Sequence, residues 1–173
     1  MFKTTEDIYN EIQEVKRLLE SLISNNQIND ESGRNSRETI NDNILLSHLY
    51  SEINSLRKLN NVNSLEVNSY LEKLADIHSH DMFVNNFMAH NSSNGMTYEQ
   101  RSRITAPNLN PKGEVLMKGP GGPNAVKTVV STWSQNPSLL NVMMDPEILY
   151  MGGGYRLKTE EIKGNYWCAV FGN

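Results

Sequence analysis

Met151-Gly152-Gly153-Gly154-Tyr155, then a polar loop, then Tyr166-Trp167-Cys168-Ala169-Val170-Phe171 close this chain of 173 residues. Residues 149–157 and 165–171 are apolar runs on either side of the turn-forming stretch 158–164, which predicts an antiparallel hairpin. Three glycines inside a strand permit close packing in the sheet. They do not form a phosphate-cradling loop, because such a loop feeds a helix N-terminus. Here Tyr155-Arg156-Leu157 continues the strand instead.

Working back from the hairpin, Glu114-Val115-Leu116-Met117 reads as a further strand. Pro120-Gly121-Gly122-Pro123-Asn124 is a turn that opens a helix, with Val126, Val129, Val130 and Trp133 as its buried stripe. A short apolar helical turn over residues 139–144 ends at Asp145-Pro146. Residues 91–112 are mostly loop, with a short helical piece at 97–104. Two amphipathic helices come earlier. One covers residues 40–59, with Ile44, Leu45, Leu49, Ile53 and Leu56 at three- and four-residue steps. The other covers 69–87, with Leu71, Leu74, Ala75, His78 and Met82 on one stripe.

The first part of the chain has a different character. Ile8, Ile12, Val15, Leu19 and Leu22 alternate four- and three-residue spacings, the seam of a coiled coil, so residues 5–23 read as an amphipathic helix. A lone helix of that length is marginal in water and needs a partner surface. Homo-oligomerisation, or docking into a larger assembly, supplies one. The following residues are almost wholly polar and turn-forming, which reads as a linker. The expected organisation is therefore a helix in 1–25, a linker in 26–38 and a domain in 39–173.

The order of Ala89-His90, Gly113-Glu114-Val115, Trp133-Ser134-Gln135-Asn136-Pro137, Met151-Gly152-Gly153-Gly154-Tyr155 and Tyr166-Trp167 through Phe171 resembles the CAP superfamily. The superfamily comprises cysteine-rich secretory, antigen 5 and pathogenesis-related 1 proteins, and the likeness is to its disulfide-free bacterial form. Ile53-Asn54-Ser55-Leu56-Arg57 matches the family's I-N-x-x-R segment, so the likeness covers roughly residues 44–173. It implies an α+β fold, a three-layer α-β-α sandwich, preceded here by the N-terminal helix. It also implies a polar cleft in which His90 and Glu114 face each other, where some members bind a divalent cation. The second histidine of the family pattern falls on Leu139, the following arginine on Leu140, and the asparagine after the glutamate on Val115. Gln135-Asn136 stands where a second acid is expected.

An imidazole and a carboxylate brought together can act as a metal pair or an acid–base pair. Zinc wants three or four protein ligands, and this pattern retains two. No cofactor is therefore expected, a divalent metal is disfavoured, and His90 with Glu114 reads as a hydrogen-bonded structural pair. His78 lies on an apolar stripe and reads as a core histidine; His80 reads as exposed, and His48 has no assigned role. Two positions apart on a helix, His78 and His80 point to different faces. Cys168, the only cysteine, reads as a small core residue. Ser92 and Ser93 follow His90 without a third group to complete a nucleophile triad. Asn91-Ser92-Ser93 fits a glycosylation acceptor only in pattern.

A net charge of −4 gives no reason to expect nucleic-acid binding. The basic runs Lys16-Arg17 and Arg101-Ser102-Arg103 read as solvated faces. No stretch has the length of a membrane span, and Met1 to Asp7 lacks the pattern of a signal peptide. From these features the expected location is a virion or the cytoplasm rather than the classical secretory route. Two functions compete. One is a non-catalytic CAP-like structural or binding module in a multimer, as in a phage particle. The other is a metal-dependent hydrolase, or a lipid-binding CAP protein, using the His90/Glu114 cleft. The incomplete cleft favours the first, and with it a protein that is not an enzyme.

Because every core-forming stripe lies beyond the linker, removing residues 1–36 should leave a folded monomer. Light scattering on the full-length and truncated proteins checks this: equal masses refute the oligomerising helix, and an unfolded truncation assigns that helix to the domain.

Overall fold

The computed structural model describes residues 36–122, 124–157 and 164–173, with side chains from Asn43 onward. The readings for residues 5–23, for most of the linker and for the hairpin loop at 158–163 lie outside these residues. Helix α1 spans Ser36–Leu59, strand β1 Glu66–Val67, helix α2 Ser69–Val84 and helix α3 Tyr98–Thr105. Strand β2 spans Pro111–Gly119, helix α4 Ala125–Gln135, helix α5 Pro137–Met144, strand β3 Tyr150–Arg156 and strand β4 Asn165–Gly172.

The four strands form one sheet in the order β1-β3-β4-β2. β4 sits between β3 and β2, antiparallel to both, and every one of its residues is buried. β3 and β4 are the expected hairpin strands, in a register that pairs Gly154 with Cys168. Alternation along β4 divides the core in two. Trp167, Ala169 and Phe171 join Leu45, Leu49 and Ile53 of α1, Val126, Val129, Val130 and Trp133 of α4, and Met143 of α5. Tyr166, Cys168 and Val170 join Leu71, Leu74, Ala75 and Met82 of α2 on the opposite face. This is the three-layer α-β-α sandwich, with the sheet as its middle layer.

Helix starts are set by local chemistry. Asn68 accepts hydrogen bonds from the N–H groups of Tyr70 and Leu71 at the head of α2. Asn136 does the same for Ser138 and Leu139, and Pro137 then occupies the first turn of α5, where no donor is lost. At the other end of α1, the Asn54 side chain pairs with both the N–H and the C=O of Leu65. Arg57, fully buried, donates to the carbonyls of Asn63, Met143 and Asp145. The I-N-x-x-R segment is thus a clamp that joins the end of α1 to the end of α5.

Gly152 and Gly154 are the points of closest approach between layers. A Cβ on Gly152 would lie 2.1 Å from the backbone nitrogen of Glu72, and one on Gly154 would lie 2.3 Å from the carbonyl oxygen of Ala75. The α2 backbone therefore rests directly on β3, which is closer than the in-sheet packing expected for these glycines.

Several expectations are corrected. Helix α1 begins at Ser36 rather than at Ile40, and Ile44, read as part of its stripe, is exposed. Its inward row ends instead on Arg57, a buried cation whose Nε and Nη1 donate to carbonyls. Helix α2 ends at Val84, where Asn85 caps it and Asn86 turns with a φ of 50°. β1, which pairs in parallel with β3, is only two residues long and carries no periodicity to read.

Trp133 is 1% exposed and donates its indole N–H to the Leu116 carbonyl at 3.0 Å. Trp133→Ala empties that volume and strips the carbonyl of its donor, a loss of about 3–5 kcal/mol as for other large core truncations. Chemical denaturation gives the value; a midpoint unchanged from wild type contradicts the packing.

Candidate functional site

Strand alternation turns Glu114 away from Val115 and toward α2 and α3, on the face that holds Cys168 and Val170. Its side chain is 1% exposed. A carboxylate at that depth is stable only with partners, and four groups surround it. His90 Nδ1 lies 2.9 Å from Oε1, and Arg101 Nη2 lies 2.9 Å from Oε2. Cys168 Sγ is 3.6 Å from Oε2, and His78 Nε2 is 3.8 Å from Oε1.

Each partner has its own environment. His90 Nδ1–H donates to Glu114, and the imidazole remains largely exposed, with 58% of the side chain accessible. The Glu114 hydrogen bond raises the His90 pKa, partial burial opposes it, and the negative charge of Glu114 adds to the rise. His78 is wholly buried and donates Nε2–H to the Ala89 carbonyl at 2.8 Å, so Nδ1 is left without a proton or a hydrogen-bond partner. Burial lowers its pKa and keeps it neutral. Burial, reinforced by Glu114, pushes the Cys168 thiol far up, which leaves S–H as a weak donor and no nucleophile.

Arg101 was the residue misread. Taken from sequence as part of a solvated basic run, it is in fact 4% exposed and lies at the centre of the cluster. Its Nη1 donates to the His90 carbonyl at 2.6 Å and to Ser92 Oγ at 3.2 Å, while Nη2 holds Glu114. A signal for this existed. Thr97 and Gln100 form a capping box that fixes the start of α3, and so places Arg101 one turn after Tyr98 on the inward face.

Residues 85–97, which carry His90, are held at several points. His78 grips Ala89, Arg101 grips His90 and Ser92, and Asp81 accepts from the N–H and hydroxyl of Ser93. Burial pushes the Asp81 pKa up, but the Ser93 and Asn85 hydrogen bonds outweigh it and leave it lowered. Ser92 is thus a ligand of Arg101 and Ser93 a ligand of Asp81. His80 is exposed, with Nδ1 3.5 Å from Arg156 Nε, and His48 is exposed on α1. Leu139 and Leu140 pack half-buried against the core on the other face of the sheet, beside Val115.

The fit to a divalent ion is poor. Both oxygens of Glu114 are engaged, a guanidinium stands against one of them, and the His78 nitrogen nearest the carboxylate is spent on a carbonyl. Among the described residues, no three His, Cys, Asp or Glu side chains stand as a ready ligand group. His90 is the exposed member of the cluster, and among the described residues no side-chain nucleophile is hydrogen-bonded to it.

Comparisons with known proteins agree with the architecture. The family model described as CAP, the cysteine-rich secretory protein family, matches residues 50–171. An uncharacterised protein of Borreliella burgdorferi is 34% identical over 113 residues, covering 65% of this chain and 69% of its own length. An outer surface protein of Borrelia burgdorferi superposes with a TM-score of 0.66 at 29% identity, over 75% of this chain and 92% of that one. An extracellular SCP-domain protein of Bacillus anthracis gives a TM-score of 0.64 at 16% identity, over 76% of this chain and 41% of that one. The last likeness is one of fold alone. The likeness to an outer surface protein at 29% identity conflicts with the expectation of a virion or cytoplasmic location, which is corrected. Among the described residues, no helix is long and apolar enough to cross a membrane.

The His90–Glu114 pair has a pH signature. Because the folded state raises the His90 pKa, the contribution of the charged pair is fully present below the unfolded value, about 6.5. It is lost as pH rises through the folded pKa. His90→Ala should therefore lower the melting temperature most in mildly acidic buffer and progressively less toward alkaline pH. A difference that is flat with pH shows that His90 does not titrate against Glu114.

Proposed function

This chain belongs to the CAP family, and from that premise we propose that it is a non-catalytic binding module of the family, working at or outside the cell surface. The location follows the kind of protein it resembles, notably the Borrelia outer surface protein. The single observation that carries the non-catalytic reading is that both oxygens of Glu114 are committed inside the protein, one to His90 and one to Arg101. A general base needs a free lone pair aimed at a substrate proton, and a metal ligand needs one aimed at the ion. Glu114 aims neither outward: its side chain is 1% exposed and each oxygen faces a partner within the protein. It holds the loop that carries His90 onto the sheet.

The amphipathic pattern at residues 5–23 supports a second element of the proposal, namely that the module is displayed on an oligomer through that helix. Multivalent display strengthens weak contacts without a deep pocket, because the second binding event becomes intramolecular. That mode suits a domain whose family cleft is filled by its own side chains.

Calorimetric titration with zinc, on wild type and on His90→Ala, tests the reading together with an ester and peptide hydrolysis assay. The expected outcome is binding weaker than roughly 0.1 mM in both proteins, about 5.5 kcal/mol, and no hydrolysis that depends on His90. Submicromolar binding or turnover that disappears in His90→Ala overturns the proposal in favour of a metal-dependent hydrolase.

A further inference from the structure

Strand β2 ends the sheet, so among the described residues one of its long edges has no neighbouring strand. An unpaired edge is a template for pairing with other chains and needs cover. Side chains supply it. Trp133 donates to the Leu116 carbonyl at 3.0 Å. The Lys118 N–H, two residues on and so on the same side of the strand, donates to the Met88 sulfur at 3.1 Å. Around Met88 the chain is fixed. Asn86 accepts from Lys118 Nζ and from the Tyr166 hydroxyl, both at 2.8 Å, and Phe87 packs against the core. On the other side, the Ala89 and His90 carbonyls are held by His78 and Arg101. Yet Met88 itself is 53% exposed, against 0% for Met82 and Met143 and 1% for Met151. A thioether is a weak acceptor and a readily oxidised one.

We propose that Met88 is an oxidation site at which peroxide uncaps the edge of β2 beside His90. The sulfur gives an electron pair to one peroxide oxygen, the O–O bond breaks, and proton transfer to the departing oxygen releases water. Methionine becomes methionine sulfoxide, and no other residue changes redox state. A thioether sulfur has two lone pairs, and one is directed at Lys118. The N···S distance of 3.1 Å leaves no room for an oxygen between the two atoms, so oxygen arrives on the solvent side. That oxygen draws electron density from the sulfur and weakens its hold on the N–H. The polar sulfoxide turns to water, and the Lys118 N–H is left open. Because residues on both sides of Met88 are held, the change stays at the surface and does not unseat His90. Reduction of the sulfoxide restores the cap.

Full-length protein is treated with limiting hydrogen peroxide, and each methionine is followed by peptide mass spectrometry. Met88 should oxidise at least about tenfold faster than Met82, Met143 and Met151, whose burial excludes peroxide. In the oxidised protein the Lys118 amide resonance should shift. Its hydrogen exchange should quicken about threefold or more, as for loss of a weak hydrogen bond. Methionine sulfoxide reductase should reverse both changes. Met88→Leu keeps the apolar volume and removes the sulfur. Its Lys118 amide should exchange fast from the outset and ignore peroxide. Met88 oxidising no sooner than the buried methionines overturns the proposal. So does a Lys118 amide unmoved by oxidation of Met88, or one that in Met88→Leu still exchanges as in untreated wild type.

Discussion

Helix α2 lies on strand β3 with no side chain between the backbones at Gly152 and Gly154, and much of the molecule is arranged around that contact. Gly152 and Gly154 are required by it, because a methyl group at either would enter the α2 backbone. Packing this close gains dispersion along the length of the strand, and leaves little freedom for sliding, since interiors are dense and yield poorly. Once α2 is seated, Leu71, Leu74, Ala75 and Met82 are committed to the face of β4 that carries Tyr166, Cys168 and Val170. His78 is carried in on the same face. The polar cluster is thus positioned by an apolar contact made on a neighbouring strand.

Buried charge is costly, and the Arg101–Glu114 pair is weak evidence for stability taken alone. Its value here is geometric. Glu114 is rigid on a central stretch of β2, Arg101 is fixed by a capped helix, and the segment between α2 and α3 has little apolar surface with which to fold against either. The guanidinium links all three through the His90 carbonyl, Ser92 and Glu114. Removing one partner leaves the other buried and unpaired, which costs about 3–5 kcal/mol and is more than most single contacts. A loop held this way has a defined surface without needing a core of its own.

Much of the architecture was legible because it depends on periodicity and punctuation. The α2 stripe, the α4 stripe and Trp133 follow from which residues repeat at 3.6, and the hairpin strands from two apolar runs either side of a polar turn. The His90–Glu114 contact was legible only through family likeness, since 24 intervening residues carry no local signal. Arg101 escaped because charge in a sequence reads as solvent exposure, and only tertiary structure shows that a carboxylate waits for it. Arg57 entered the sequence reading only as part of the family segment, and nothing local in the sequence announced the three carbonyls that receive it. β1 is two residues long and has no pattern to find. Location was misjudged for a different reason: an address is not a consequence of packing, so the relatives inform on it and the domain's own physics does not.

The departures from the family pattern are consistent with one another. Val115 lies in the core on the face opposite Glu114, and Leu139 and Leu140 pack against that same core. Polar groups at those places would need partners that the apolar layer does not offer. A second histidine at position 139 would therefore demand rearrangement of α5, whose seating depends on the Asn136 cap and on Gly113, where a methyl would come within 2.6 Å of Val142. The apolar substitutions let α5 close on β2, while charge on the other face is balanced internally by Arg101. Both changes push in one direction: the sandwich is kept, Glu114 and Arg101 are turned inward as a pair, and His90 is the exposed member of the cluster.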